Sequence, residues 1–119
     1  VVKDENFTAK GDFTSYDLMK IADVIVTDYS ACAFEASVLL KPLYFFVPDY
    51  DFYMADRGIN VDLKKEFPSA AFEKADELWN SIENKAYDMD SLVKFKETYV
   101  ENADTNNTKS LADFIVKQI

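Results

Sequence analysis

The sequence predicts an α/β domain built on a parallel sheet, and three observations carry that prediction. Two short runs, Asp23-Val24-Ile25-Val26-Thr27 and Leu43-Tyr44-Phe45-Phe46-Val47, have the β-branched and aromatic texture of strands covered on both faces. The stretch between them is helical in pattern, too long for a hairpin and of a length that suits a parallel crossover. Past about residue 70 the texture changes to helix after helix. Residues 1–119 therefore read as a single domain, with 1–70 an α/β layer and 71–119 its C-terminal helices.

Taken in order, Ser15 to Ala22 sets Leu18, Met19, Ile21 and Ala22 at helical spacing, with Asp17 in the first turn and Thr14 or Ser15 as the cap. The strand 23–27 follows directly and ends at Asp28-Tyr29-Ser30, where a helix can start. Ala31 to Leu40 is apolar all round except for Glu35 and Ser37, which predicts a largely buried helix. Lys41-Pro42 stops it, because proline disfavours helical geometry in the residue before it. The strand 43–47 closes at Pro48-Asp49. Asp49 to Asp56 reads as a short aromatic helix or turn, and Ile59 to Leu63 as a short strand. Beyond Pro68, the segments 74–87, 91–100 and 111–119 carry apolar stripes and read as helices packed on the sheet, with a loop at Asn102 to Thr108.

Composition narrows the function. Apolar residues make up 49% and aromatics 15%, enough for a packed core and too much for disorder. Thirteen basic against 22 acidic residues leave a formal charge of −9, which repels phosphate backbones and argues against nucleic acid as a main partner. The single cysteine, Cys32, excludes an internal disulfide and supplies no metal cluster. With no histidine, the commonest general base and metal ligand is missing, and with it most familiar hydrolase mechanisms. The chain has no initiator Met and no apolar run near the length of a membrane span, and it reads as an intracellular segment of something longer.

The chemistry concentrates at the carboxyl end of the first strand, where open α/β sheets bind ligands and a following helix offers free N–H groups. Ser30, with the amides of Ala31 and Cys32, suits a phosphate oxygen; equally, Asp28 or Ser30 can simply cap the helix. Glu35 is the sole charge in an otherwise apolar helix, so it must reach water, a partner or a ligand hydroxyl. Arg57, the only arginine, suits bidentate phosphate recognition or a plain salt bridge to Asp56 or Asp51. Asp49, Asp51 and Asp56 lie among aromatics without a cation-loop signature, so no metal site is read there.

One ordered series of residues goes further. Ile21-Ala22-Asp23-Val24-Ile25-Val26-Thr27-Asp28-Tyr29-Ser30, Phe34-Glu35, Lys41-Pro42-Leu43-Tyr44-Phe45-Phe46, Pro48-Asp49-Tyr50, Tyr53, Arg57-Gly58 and Phe67-Pro68 resembles the carboxyl-terminal part of the CDP-glycerol glycerophosphotransferase family over about residues 12–85. These are bacterial enzymes of teichoic acid and related cell-surface polymer synthesis. The resemblance implies a GT-B architecture of two Rossmann-like domains, of which this chain is the later portion of the donor-binding one. It implies transfer of a polyol phosphate from CDP-glycerol or another CDP-polyol to a lipid-linked polymer acceptor bound by the rest of the protein, with release of CMP and no cofactor. In that picture Ser30, Ala31, Cys32 and Arg57 sit on the donor diphosphate and Glu35 on the ribose. The family's catalytic histidines lie upstream and are absent here, so the chain alone is expected to be inactive. Two positions depart from the pattern: Ala31 stands where a second serine is usual, and Ser69 where a glycine follows the proline. The implied location is cytoplasmic, peripheral at the inner face of the membrane. The alternative is a non-catalytic α/β interaction module that retains the fold.

Overall fold

The structure is a computed structural model, and it describes residues 13–100 and 106–119. Helix α1, Ser15–Ile21, opens with a capping box. The Thr14 hydroxyl accepts the Asp17 amide at 3.2 Å while the Asp17 carboxylate accepts the Thr14 amide at 3.0 Å, satisfying donors that a helix start leaves open. At its other end the Lys41 ammonium donates to the carbonyl of Lys20 and, at 2.6 Å, to that of Ala22. A cation there meets the negative end of the helix dipole.

Strand β1, Ile25–Thr27, helix α2, Cys32–Val38, and strand β2, Leu43–Phe46, form the expected crossover. The strands pair in parallel, Ile25 opposite Leu43 and Thr27 opposite Phe45. A third parallel strand, β3, Ala71–Phe72, pairs Phe45 with Ala71 and gives the order β1-β2-β3. Two residues are too few to show a period, which is why the sequence reading has no strand there. With β2 central, Leu43, Tyr44 and Phe45 are buried, as the unbroken apolar run requires. Among the described strands β1 lies at an edge, and its Val26 is 48% exposed.

Between β2 and β3 run α3, Tyr50–Asp56, and α4, Leu63–Glu66. The strand expected at Ile59 to Leu63 does not form. Gly58, at φ +68°, turns the chain after α3, and the Asp62 side chain accepts the Lys65 amide as the cap of α4. Ile59 and Val61 still pack on the core, so their alternation reflects burial without a strand.

Helices α5, Ala75–Glu83, and α6, Met89–Tyr99, follow. α5 stops four residues short of the expected 87, with Lys85 in the left-handed region at φ 51°. α6 buries Leu92 and Phe95. The Phe95 ring lies 5.3 Å from Phe34 and 4.9 Å from Phe67, and Phe67 lies 4.8 Å from Phe45, an aromatic column tying α2, α6 and the sheet. α2 ends at Val38, two residues short of the expected Leu40, and is less buried than expected: Ala33, Ala36 and Ser37 face inward while Glu35 and Val38 are exposed, as is Leu40 beyond it. The last helix, α7, Asn107–Gln118, starts inside the segment expected to be a loop, most of which lies outside the described residues. It buries nothing: Leu111, Phe114 and Ile115 are all at least half exposed, so the expectation that it packs on the sheet fails.

Candidate functional site

A cavity of about 510 Å³ lies beside the β1–α2 loop, its lining including the polar Ser30, Asn60 and Arg57 and the apolar Phe34, Ile59, Val61, Leu63 and Phe95. The loop is shaped by its own short polar side chains. Asp28 accepts the Ser30 amide at 2.9 Å, and the Ser30 hydroxyl accepts the Cys32 amide at 3.3 Å. Ala31, in helical geometry and without a side-chain bond, occupies the cap position of α2. Ser30 therefore sits one residue before the cap position while still satisfying one amide of the first turn.

Tyr29 anchors this loop to α3. Its hydroxyl donates to Asp49 at 3.0 Å, and its ring stacks on Tyr53 with centroids 3.8 Å apart and planes 11° from parallel. Burial first, and the Asp49 carboxylate second, hold the Tyr29 phenol well above its ordinary value. Four residues on from Tyr53, at the C-cap of α3, the Arg57 guanidinium carbon stands 5.9 Å from the Tyr53 ring centroid. Asp56 is 3.9 Å from Arg57, but both side chains are largely exposed and such a pair is worth little. On the next turn of chain, the Tyr50 hydroxyl donates to Asp62 at 2.5 Å, and burial together with that carboxylate pushes the phenol up to about 12.

The structure thus brings Ser30, Ala31 and Arg57 to one cavity. It does not bring Cys32 or Glu35 to that lining. Cys32 is half-buried, its sulfur 3.0 Å from the Thr27 hydroxyl. Glu35 is exposed and accepts the Tyr16 hydroxyl at 2.5 Å, so of the three outcomes open to it in sequence it takes a protein partner. Tyr29, Tyr53 and Asn60 are cavity residues that the site prediction missed. Tyr29 and Tyr53 both stand in the ordered series that carries the family resemblance, and the four-residue spacing from Tyr53 to Arg57 was a further signal; for Asn60 there was none.

The family model described as CDP-Glycerol:Poly(glycerophosphate) glycerophosphotransferase matches residues 3–117. The chain belongs to this family. It is 33% identical over 104 residues to the teichoic acid ribitol-phosphate primase of Bacillus spizizenii, and 29% identical over 104 residues to the teichoic acid glycerol-phosphate primase of Bacillus subtilis. Each match covers 87% of this chain and 27% of the relative. The teichoic acid glycerol-phosphate transferase of Staphylococcus aureus is 36% identical over 89 residues, covering 71% of this chain and 20% of that one. The chain thus spans about a quarter of the length of the curated relatives it matches. Members of the glycerophosphotransferase family are transferases, and among the described residues of this one no helix is long and apolar enough to cross a membrane.

Proposed function

We propose that this chain is the donor-binding portion of a CDP-polyol phosphotransferase of teichoic acid or related polymer synthesis. The observation that carries the reading is the convergence of Ser30, Ala31 and Arg57, from two different elements, on the cavity beside the carboxyl end of β1. The donor's diphosphate takes the Ser30 hydroxyl, the Ala31 amide and the Arg57 fork, while the apolar wall of Phe34, Ile59 and Val61 takes its less polar end. A chain of charge −9 holds an anionic donor only by such local contacts. A ribose role for Glu35 requires its bond to Tyr16 to open, so the proposal rests on Ser30, Ala31 and Arg57.

The wider reading supported by the family is a GT-B protein in which an acceptor hydroxyl, on a lipid-linked polymer held outside this chain, attacks the donor phosphorus in line and displaces CMP. Such a step is dominated by positioning and charge stabilisation and calls for no cofactor. The acid–base group belongs outside this histidine-free chain, which alone is inactive. The protein works at the cytoplasmic face of the membrane as a peripheral enzyme. Calorimetric titration of the full-length protein with CDP-glycerol and CDP-ribitol tests the donor site. Arg57→Gln is expected to weaken binding about tenfold or more, with Arg57→Lys in between. Unchanged affinity in Arg57→Gln defeats the reading.

A further inference from the structure

Resting on that donor-site reading, we propose that Tyr53 is a positioning residue that sets Arg57 in place against the cavity. Tyr53 holds Arg57 twice. Its carbonyl accepts the amides of both Arg57, at 3.0 Å, and Gly58, at 3.1 Å, and so fixes where α3 ends and where the arginine leaves the helix. Its ring then lies beneath the guanidinium, 5.9 Å from centroid to carbon, where the negative face of an aromatic attracts a cation.

The ring is itself fixed from outside its helix. Tyr29 stacks on it at 3.8 Å, and the Tyr29 hydroxyl is tied to Asp49 at 3.0 Å. Tyr29 directly precedes Ser30, so the stack couples the loop carrying the serine to the helix carrying the arginine. Arginine is rich in rotamers, and ordering it at the moment of binding costs affinity; a contact with a fixed ring, at 5.9 Å and with the arginine side chain still largely in solvent, narrows those rotamers without locking them and so lowers that cost. Asp56 is a weak competitor for it, at 3.9 Å and in solvent.

The test is steady-state kinetics of the full-length protein with CDP-glycerol as the varied donor. Tyr53→Leu is expected to raise KM about threefold to fivefold with kcat within about twofold of wild type, because it removes the ordering of Arg57 before binding while Arg57 itself remains to meet the bound donor. Tyr53→Phe, which keeps the ring, is expected to rescue KM. In an Arg57→Gln background, Tyr53→Leu is expected to add nothing, since the group it positions is gone. If Tyr53→Leu fails to fold, Tyr53→Met, flexible and without a ring, carries the same expectation. The proposal is overturned if Tyr53→Leu leaves KM unchanged, or raises it by the same factor with and without Arg57. An Arg57→Gln protein with unaltered KM overturns the donor-site reading beneath it, and that single variant tells the two failures apart.

Discussion

Asp62 joins two elements through one carboxylate. It caps α4 by accepting the Lys65 amide at 3.1 Å, and it accepts the hydroxyl of Tyr50, which is 7% exposed and needs a partner at that depth. Asp62→Ala removes both bonds and is expected to cost ~1–3 kcal/mol of stability, measured by urea unfolding; Asp62→Asn keeps an acceptor oxygen and costs less. The charge adds a pH dependence of fixed sign. The Tyr50 hydroxyl, followed by the Lys65 amide, holds the folded-state pKa of Asp62 below its ordinary value. A depressed carboxylate contributes stability that is complete above the unfolded value of about 3.9 and is lost as pH falls through the lower folded value. The melting temperature is therefore expected to fall less steeply below pH 4 in Asp62→Asn than in wild type. Asp17 and Asp88, lowered by Thr14 and Ser91 respectively, keep the remaining slope from vanishing.

Two helices with similar sequence patterns have opposite roles in packing. Leu92 and Phe95 of α6 are fully covered, with Phe95 inside the column that reaches Phe34 and Phe67; Leu111 and Phe114 of α7 are each about 60% exposed. Phe95→Ala is expected to cost about 3–5 kcal/mol, by loss of a buried ring and the cavity it leaves. Phe114→Ala is expected to stay within about 0.5 kcal/mol in the same urea series. An apolar stripe specifies a helix and a face, but not what covers that face, which is why the sequence reading found both helices yet missed that α6 packs chiefly on α2 and that the apolar face of α7 is left exposed. The crossover β1–α2–β2 was legible because texture, crossover length and Pro42 all agreed. The 59–63 segment was misread because burial of Ile59, Val61 and Leu63 mimics a strand, while the local chemistry of Gly58 and Asp62 makes a turn and a helix start.

The cavity exists only in the assembled molecule, since Ser30, Arg57, Val61 and Phe95 come from four separate segments that the parallel crossover and the aromatic column bring together. Ser30 and Arg57 were legible one at a time, from strand-end position and residue type. Their shared wall was not, because it depends on a Tyr29–Tyr53 stack joining a loop to a helix. A ligand bridging those segments binds the folded chain and not the unfolded one, so it must stabilise the whole fold. At a concentration a hundred times Kd the gain is about 2.7 kcal/mol, a rise of roughly 10 °C in melting temperature for a domain of this size. Differential scanning of the protein with CDP is expected to show that shift in wild type, a much smaller one in Arg57→Gln, and a smaller one with CMP, which lacks the second phosphate. Glu35→Gln separates the two placements of the acidic residue. With Glu35 engaged by Tyr16 outside the cavity, its loss is expected to leave the CDP-induced shift in place. Abolition of the shift in Glu35→Gln would instead mean that the carboxylate leaves Tyr16 on binding and reaches the ribose.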